Sequence, residues 1–215
     1  MTFVYPLGDG SNWDNNELKI SIALVKKHYQ GNADFLVVGS RPNFKVDFIE
    51  NEIEGSRYQK SMSNILKGLQ VVGEPFVLMN DDFFCSNDFS EIPLYWDMKV
   101  KERMKLASSP IYSRFLERSI SNVEDKNFAV HKPMMVEDLD LFLYMANIAI
   151  KRNCSVRILY GNHYGKNEKQ EQDIKLKKKG AIGDWWSIGD QFLTKENKEW
   201  LKGLIQGTTE ESLLK

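Results

Sequence analysis

In the first part of the chain, short apolar runs are separated by a stripe of apolar residues at helical spacing. Residues 3–5 form a mostly apolar run that precedes turn-forming residues 8–11, which predicts a first strand followed by a loop. An apolar stripe with helical spacing follows, made of Leu18, Ile22, Val25 and Tyr29. Residues 35–38 form the next apolar run, with a weaker extended segment at 45–49. A strand followed by a helix and a second strand predicts that the two strands pair in parallel.

The middle and last parts of the chain continue this alternation. A helix is predicted from residue 56, with apolar positions Met62, Ile65, Leu66 and Leu69 on one face and Arg57, Lys60, Asn64 and Lys67 on the other. An apolar run at residues 76–84 then contains two adjacent acidic residues. The remaining pattern predicts a helix at 99–117, a buried helix at 139–150, a strand at 156–160, a loop at 161–165 and a closing helix near 200–205.

This order of elements predicts an α/β fold: a single-domain, Rossmann-like, mostly parallel sheet flanked by helices. We expect the domain to cover residues 1–207, with a C-terminal tail at 208–215. The chain has 215 residues, of which 42% are hydrophobic, and it is therefore large enough to bury a substantial core.

Charge and cysteine content exclude several classes of protein. The 29 basic and 30 acidic residues give a formal charge of -1, which disfavours broad electrostatic binding of nucleic acid. Cys85 and Cys154 lie far apart in the sequence, so neither a disulfide framework nor a zinc site is predicted. The sequence shows no signal peptide and no apolar segment of membrane-spanning length. We therefore expect a soluble, cytoplasmic protein.

Asp81 and Asp82 interrupt the apolar run at residues 76–84 and are the first candidates for chemistry. Ligands of α/β sheets collect beyond the carboxyl ends of the strands, where this pair is expected to lie. Two carboxylates there are costly to desolvate unless they hold a hard cation, and oxygen ligands favour Mg²⁺, Mn²⁺ or Ca²⁺ over softer metals, of which we expect Mg²⁺ or Mn²⁺. Such an ion would neutralise a diphosphate. The alternative is that the pair only caps a helix or lies in a solvated turn.

The loop after the first predicted strand is a candidate anion site. It precedes a helix N-terminus, where backbone amides and the helix dipole favour phosphate. The candidate binding residues are Gly8, Asp9, Gly10, Ser11, Asn15, Asn16 and Glu17. Asp9 is suited to a base or ribose hydroxyl and Ser11 to a phosphate. Alternatively, the glycines serve only the turn, and Glu17 only forms a capping box with Asp14.

Several short motifs occur in the same order as in a known family. They are Val4-Tyr5, Gly8-Asp9-Gly10-Ser11, Asp14-Asn15-Asn16-Glu17-Leu18-Lys19, Asn80-Asp81-Asp82, His131-Lys132-Pro133-Met134 and Trp186-Ser187-Ile188-Gly189-Asp190. This set resembles the four conserved regions of the Stealth family of sugar-phosphate transferases. The long spacer that separates the first two regions in that family is missing, so the chain is similar to a minimal version. The resemblance implies a nucleotide-sugar transferase with a GT-A-like core.

Histidine and basic residues complete the expected site. Given the resemblance to the Stealth family, His131 is the best candidate general base for an acceptor hydroxyl. Imidazole titrates near neutral pH, and the chain has only three histidines. His163 is the reserve candidate, for metal or donor. Arg57 and Lys60 are candidates for phosphate oxygens, although such a stripe is usually a solvated helix face. Asp190 would orient an acceptor or complete the metal shell.

In this scheme Asp82 is both a metal ligand and, with His131, a catalytic residue. The expected donor is a nucleotide sugar, with a UDP-sugar as first choice, and the acceptor is a glycan hydroxyl or a modified DNA base. Lysine-rich residues 175–179 would serve a DNA acceptor, although most such runs are simply solvated. The sequence does not distinguish transfer of a sugar from transfer of a sugar-1-phosphate. The remaining alternatives are a catalytically silent binding module and a metal-dependent nuclease or phosphatase.

Overall fold

Strands and helices alternate along the chain, and the computed structural model describes residues 1–8, 13–177 and 183–208. In chain order the elements are β1 Thr2–Leu7, α1 Asn16–His28, β2 Asp34–Gly39, β3 Asp47–Glu50, α2 Arg57–Gly68, β4 Phe76–Leu78, β5 Phe83–Cys85, β6 Leu94–Trp96, α3 Val100–Lys105, α4 Pro110–Arg118, β7 Met134–Val136, α5 Leu139–Arg152, α6 Val156–Tyr164, β8 Glu168–Gln170, β9 Lys175–Leu176, β10 Trp185–Ile188 and α7 Lys195–Gly203. A short 3-10 turn, Asp190–Phe192, connects β10 to α7.

The central sheet has the strand order β3-β2-β1-β4-β7. β1 pairs in parallel with β2 and β4, and β2 pairs in parallel with β3. β7 is antiparallel to β4 and forms one edge. The predicted α/β fold with a mostly parallel sheet is therefore confirmed. Its parallel strands bring the ends of β1 and β4 to the same edge.

Helices cover both faces of this sheet, which explains why β1 is continuously apolar. Phe3 and Tyr5 pack into a cluster that contains Leu18 and other residues of α1. Val4 points to the opposite face and packs into a second cluster that contains Met62 of α2 and residues of α5 and α6. Strands buried on both faces read as unbroken apolar runs, in contrast to the alternation of half-exposed strands.

Smaller sheets extend the domain beyond β4. β10 pairs antiparallel with β5 and parallel with β9, and β6 pairs in parallel with β8. Ser21 of α1 fixes β5, because its hydroxyl donates to the Phe83 carbonyl at 2.6 Å and bonds the Tyr5 hydroxyl at 3.0 Å. The segment that joins β4 to β5 is thereby held at the sheet edge. No helix in the described part of the chain has the length and apolar character needed to span a bilayer.

Two predictions about the second half of the chain give the wrong type of secondary structure. Residues 156–160 form the first turns of α6 instead of a strand, and residues 161–164 end that helix instead of forming a loop. The Ser155 side chain accepts from the Ile158 amide at the N-terminus, and Gly165 ends the helix in the left-handed region at φ 61°. Both faces of the segment are buried, and a short apolar run of that kind does not distinguish strand from helix.

Two predicted helices differ in extent or exposure. The helix expected at 99–117 is two helices, α3 and α4, because Ser109 caps a new helix that begins with Pro110. The buried helix expected at 139–150 forms as α5, but Tyr144 is 63% exposed and Ile150 is 44% exposed. α5 therefore has a solvent face that its uniformly apolar composition does not reveal.

Candidate active site

An open cavity of about 530 Å³ lies at the carboxyl ends of β1 and β4. It is lined by Pro6, Gly8, Glu17, Arg57, Lys60, Ser61, Asn64, Asn80, Asp81, Asp82, Lys175, Ile188, Gly189, Asp190 and Leu193. These residues come from the end of β1, the first turns of α1 and α2, the turn after β4, and the ends of β9 and β10. The cavity thus occupies the edge of the parallel sheet where ligands of α/β proteins bind.

The turn between β4 and β5 presents two partly buried carboxylates to this cavity. The Met79 amide donates to the Val4 carbonyl at 2.9 Å, which extends the pairing of β4 with β1 up to the turn. Burial raises the pKa of Asp82 to about 7, and the charge of Asp81 adds to the effect while Lys175 and His131 oppose it. Burial, and then the charge of Asp190, also raise the pKa of Asp81. The two carboxylates are therefore costly to ionise together unless a cation lies beside them.

Basic side chains line the same cavity. The Lys175 ammonium is 3.9 Å from Asp82 Oδ2. Arg57 and Lys60 belong to the first turn of α2, where Ser56 and Gln59 form a capping box. A helix N-terminus carries partial positive charge, so this side of the cavity is suited to an anion such as phosphate. Anion-binding groups and carboxylates thus face one another across one space.

The donor set at the acidic turn fits a hard divalent cation. Asp81 and Asp82 offer only oxygen ligands, which suit Mg²⁺ or Mn²⁺. In the described ranges, no group of three or more His, Cys, Asp or Glu side chains is arranged to hold a metal by itself. Mg²⁺ is commonly bound by one or two carboxylates, water and substrate phosphates instead of by an all-protein cage. Two carboxylates beside a helix N-terminus that is suited to phosphate match that description.

His131 forms a dyad with Asp173 near this turn. Asp173 accepts from the His131 backbone amide at 2.8 Å through Oδ1, and its Oδ2 lies 2.9 Å from His131 Nδ1. Burial favours a higher pKa for Asp173, but the hydrogen bond and charge of His131, with help from Arg103, lower that pKa. An ionised Asp173 only accepts hydrogen bonds, so Nδ1 is the donor in this contact, and in the neutral imidazole Nε2 is left as the proton-accepting nitrogen. His131 is not among the residues that line the cavity, but when its ring is protonated its charge lowers the pKa of Asp82.

A partly buried arginine lies beneath the acidic turn and the histidine. Arg157 of α6 donates to the carbonyls of Leu78, Val130 and Lys132 at 3.2, 3.2 and 2.6 Å. Its guanidinium also lies 5.2 Å from the centre of the Phe83 ring. Burial lowers the pKa of Arg157 to about 10. This one side chain therefore ties the end of β4 to the segment that carries His131.

The structure brings together some of the sequence-predicted site residues and leaves others apart. Those that line the cavity are Gly8, Glu17, Arg57, Lys60, Asp81, Asp82 and Asp190. Asp9, Gly10 and Ser11 lie outside the described residues. Asn15 and Asn16 do not line the cavity: Asn15 is the N-cap of α1, and the buried Asn16 side chain accepts from Lys19 at 3.3 Å.

Two further predictions are changed by the local geometry. The expected capping box between Asp14 and Glu17 is absent, because the N-cap of α1 is Asn15 and Glu17 is the second helical residue. His163 is part of α6, where its Nδ1 donates to the Leu159 carbonyl at 2.8 Å. That bond lies within one helix, and the residues lining the cavity do not include His163. His163 is thus not placed with the acidic turn.

Sequence reasoning missed three residues of this region: Lys175, Asp173 and Arg157. Lys175 belonged to a run interpreted as a solvated or DNA-binding segment, yet it lines the cavity beside Asp82. Asp173 and Arg157 have no local pattern that marks them, since their partners lie 42 and 79 residues away. The only available signal was the run Glu171, Gln172, Asp173 shortly before the lysines.

Comparisons with known proteins identify the fold. No protein-family model matches the chain, and no curated protein matches it. The Stealth resemblance therefore remains a prediction. Among solved structures, the chain is similar to the galactosyltransferase LgtC in complex with donor and acceptor sugar analogues. The two chains share 7% identity, the match covers 97% of this chain and 96% of that one, and the TM-score is 0.55.

A second similar structure is the bifunctional glycosyltransferase WbbM in its apo form. The identity is 10% and the TM-score is 0.57. The match covers 99% of this chain and 50% of that chain, so the protein spans half the length of WbbM. At these identities the similarity concerns the fold. The chain shares the mixed α/β fold of these two glycosyltransferases.

Proposed function

We propose that the protein is a transferase that uses a nucleotide-sugar donor and passes a sugar or a sugar-1-phosphate to an acceptor hydroxyl. The observation that carries the proposal is the cavity at the ends of β1 and β4. It combines the paired carboxylates Asp81 and Asp82 with the basic N-terminus of α2 in a fold shared with glycosyltransferases. A UDP-sugar is the proposed donor and a glycan the proposed acceptor.

In this scheme each group has a distinct task in binding the donor diphosphate. Arg57 and Lys60 contact phosphate oxygens at the α2 terminus, where the helix dipole adds to their charge. Asp81 and Asp82 would hold Mg²⁺ or Mn²⁺, and the bound ion would supply positive charge against the leaving phosphate. Lys175 lies beside Asp82 and adds a further positive charge at that end of the cavity. Glu17 and Asp190 are suited to bind hydroxyl groups of the sugar or acceptor.

The reaction requires that an acceptor hydroxyl lose its proton. His131 Nε2 takes this proton while Asp173 keeps Nδ1 protonated and holds the ring. The hydroxyl oxygen forms a bond to the anomeric carbon, and the bond from that carbon to the diphosphate breaks, so the nucleoside diphosphate leaves with the electron pair. In the sugar-phosphate variant the hydroxyl oxygen bonds to the phosphorus that carries the sugar, the bond from that phosphorus to the bridging oxygen breaks, and the nucleoside monophosphate leaves with the electron pair.

Calorimetric titration of UDP tests the donor site. We expect binding to be weak in EDTA and clearly tighter with Mn²⁺, because without the ion the diphosphate faces two carboxylates. Asp81→Asn and Asp82→Asn should each abolish the effect of Mn²⁺. The matched control is Asp88→Asn, which changes an exposed carboxylate outside the cavity. Equal affinity with and without Mn²⁺ in the wild-type protein would contradict the metal-assisted donor site.

A further inference from the structure

The hairpin formed by α3 and α4 carries an exposed apolar tip. Leu106, which follows α3, is 67% exposed, and Ile111 at the start of α4 is 81% exposed. These are the two most exposed large hydrophobic side chains among the described residues. The inner side of the hairpin is packed normally, since Leu116 is fully buried with Val100 and Ile158 of α6. The inner side of the hairpin therefore packs against α6, and the apolar tip faces outward.

Exposed basic side chains occur along both helices of the hairpin, from its tip to its base. Lys101 and Lys105 are exposed on α3 at helical spacing, and Arg114 and Arg118 are exposed on α4. Ile111, Arg114 and Arg118 share one face of α4, because they are three and seven residues apart. Two exposed acidic residues, Glu102 and Glu117, accompany the four cations, so the outer surface of the hairpin is positive on a chain whose formal charge is -1.

We propose that this hairpin tip docks on an anionic lipid surface, with Leu106 and Ile111 entering the interface and the four cations contacting acidic headgroups. Apolar side chains surrounded by Lys and Arg are the combination that binds the boundary of a bilayer without crossing it. Charge complementarity favours an anionic membrane over a neutral one, because each cation near an acidic surface contributes independently to binding.

The hairpin lies close to the candidate active site, so docking would affect the supply of acceptor. This part of the inference rests on the proposed function. Arg103 of α3 lies 3.3 Å from Asp173, the carboxylate that holds His131, and 3.5 Å from Asp97. The docking helix is thus joined to the proposed base by one ion pair. A surface seated through this hairpin would bring membrane-borne acceptors toward the His131 side of the protein.

Vesicle flotation of the full chain tests the docking. We expect binding to vesicles of mixed phosphatidylcholine and phosphatidylglycerol, little binding to phosphatidylcholine alone, and loss of binding as salt is raised. Lys101→Gln with Lys105→Gln should weaken partitioning roughly 30-fold, or about fivefold for each charge removed. Leu106→Ser with Ile111→Ser should weaken it as well. The matched control is Val71→Ser, which removes a 64% exposed apolar side chain that lies outside the hairpin.

The results that would overturn membrane docking differ from those that would count against the proposed transferase function. Equal binding to neutral and anionic vesicles, or hairpin variants that bind like the Val71→Ser control, would overturn the proposal. Loss of self-association in the hairpin variants, without any vesicle binding by the wild type, would assign the tip to a protein interface and also overturn it. Nucleotide release with a soluble acceptor should be unchanged in the hairpin variants. Vesicle binding without any turnover would instead count against the proposed function alone.

Discussion

At the residue scale, Asp82 lies in surroundings that disfavour its charged form. Its pKa is raised from 3.8 to about 7 by burial and by Asp81. The native state therefore binds this proton more tightly than the unfolded state does. Stability from this group is fully present below about pH 4 and is lost as the pH rises through about 7. A bound divalent cation would offset the loss by favouring the ionised pair.

Asp82→Asn should therefore stabilise the metal-free protein at alkaline pH. We expect a gain of about 1–3 kcal/mol in the free energy of unfolding at about pH 8 and no gain at about pH 4. Urea unfolding in EDTA at both values measures it. Glu54→Gln, which changes an exposed carboxylate, serves as the control. A variant whose stability depends on pH as the wild type does would show that Asp82 has an ordinary pKa.

The His131–Asp173 dyad is the second residue-scale feature with a measurable consequence. His131→Asn should lower kcat about 100-fold or more and leave the affinity for UDP unchanged, since general-base catalysis acts on the rate. Asp173→Asn should also lower kcat, because an amide at that position no longer fixes the Nδ1 proton. His28→Asn is a matched control, since His28 makes the same 2.9 Å contact with Asp88 away from the cavity. Equal effects of the His131 and His28 substitutions would remove the dyad from the mechanism.

At the element scale, α6 positions the two halves of the site. Arg157 donates to carbonyls at the end of β4 and in the segment before β7. Arg157→Met would leave three buried carbonyls without this donor, and we expect it to destabilise the protein by about 2–4 kcal/mol. Arg152→Met, at the exposed end of α5, should change stability by less than about 0.5 kcal/mol. Chemical denaturation compares the two, and equal small effects would show that Arg157 does not hold these elements together.

The close contact of α6 with the segment before β7 gives a packing prediction at the same scale. A Cβ added at Gly161 would lie 2.4 Å from the Phe128 ring, whereas one at Gly203 of α7 would meet no atom within 4 Å. Gly161→Ala should therefore cost about 1–3 kcal/mol, while Gly203→Ala should be neutral or slightly stabilising. Thermal unfolding of both variants measures the contrast. An equal response would mean that α6 does not pack against Phe128 in solution.

At the scale of the whole molecule, local patterns account for what the sequence predicted. The parallel sheet and the acidic turn were predictable because buried strands are apolar throughout and Asp81-Asp82 interrupts such a run. The helical structure of α6 could not be predicted, because a short apolar run that is buried on both sides is equally typical of a strand. The partnership of His131 with Asp173 depends on the folded chain and has no local signature.

Similarity to LgtC and WbbM adds the fold but leaves the transferred group open. The most direct measurement is chromatography of nucleotides after incubation with UDP-sugars, Mn²⁺ and candidate acceptors. We predict that a nucleotide accumulates in proportion to the acceptor and only when Asp81 and Asp82 are intact: UDP for sugar transfer, or UMP for sugar-phosphate transfer. No nucleotide above a control without acceptor, across several sugars and acceptors, would contradict the proposed transferase.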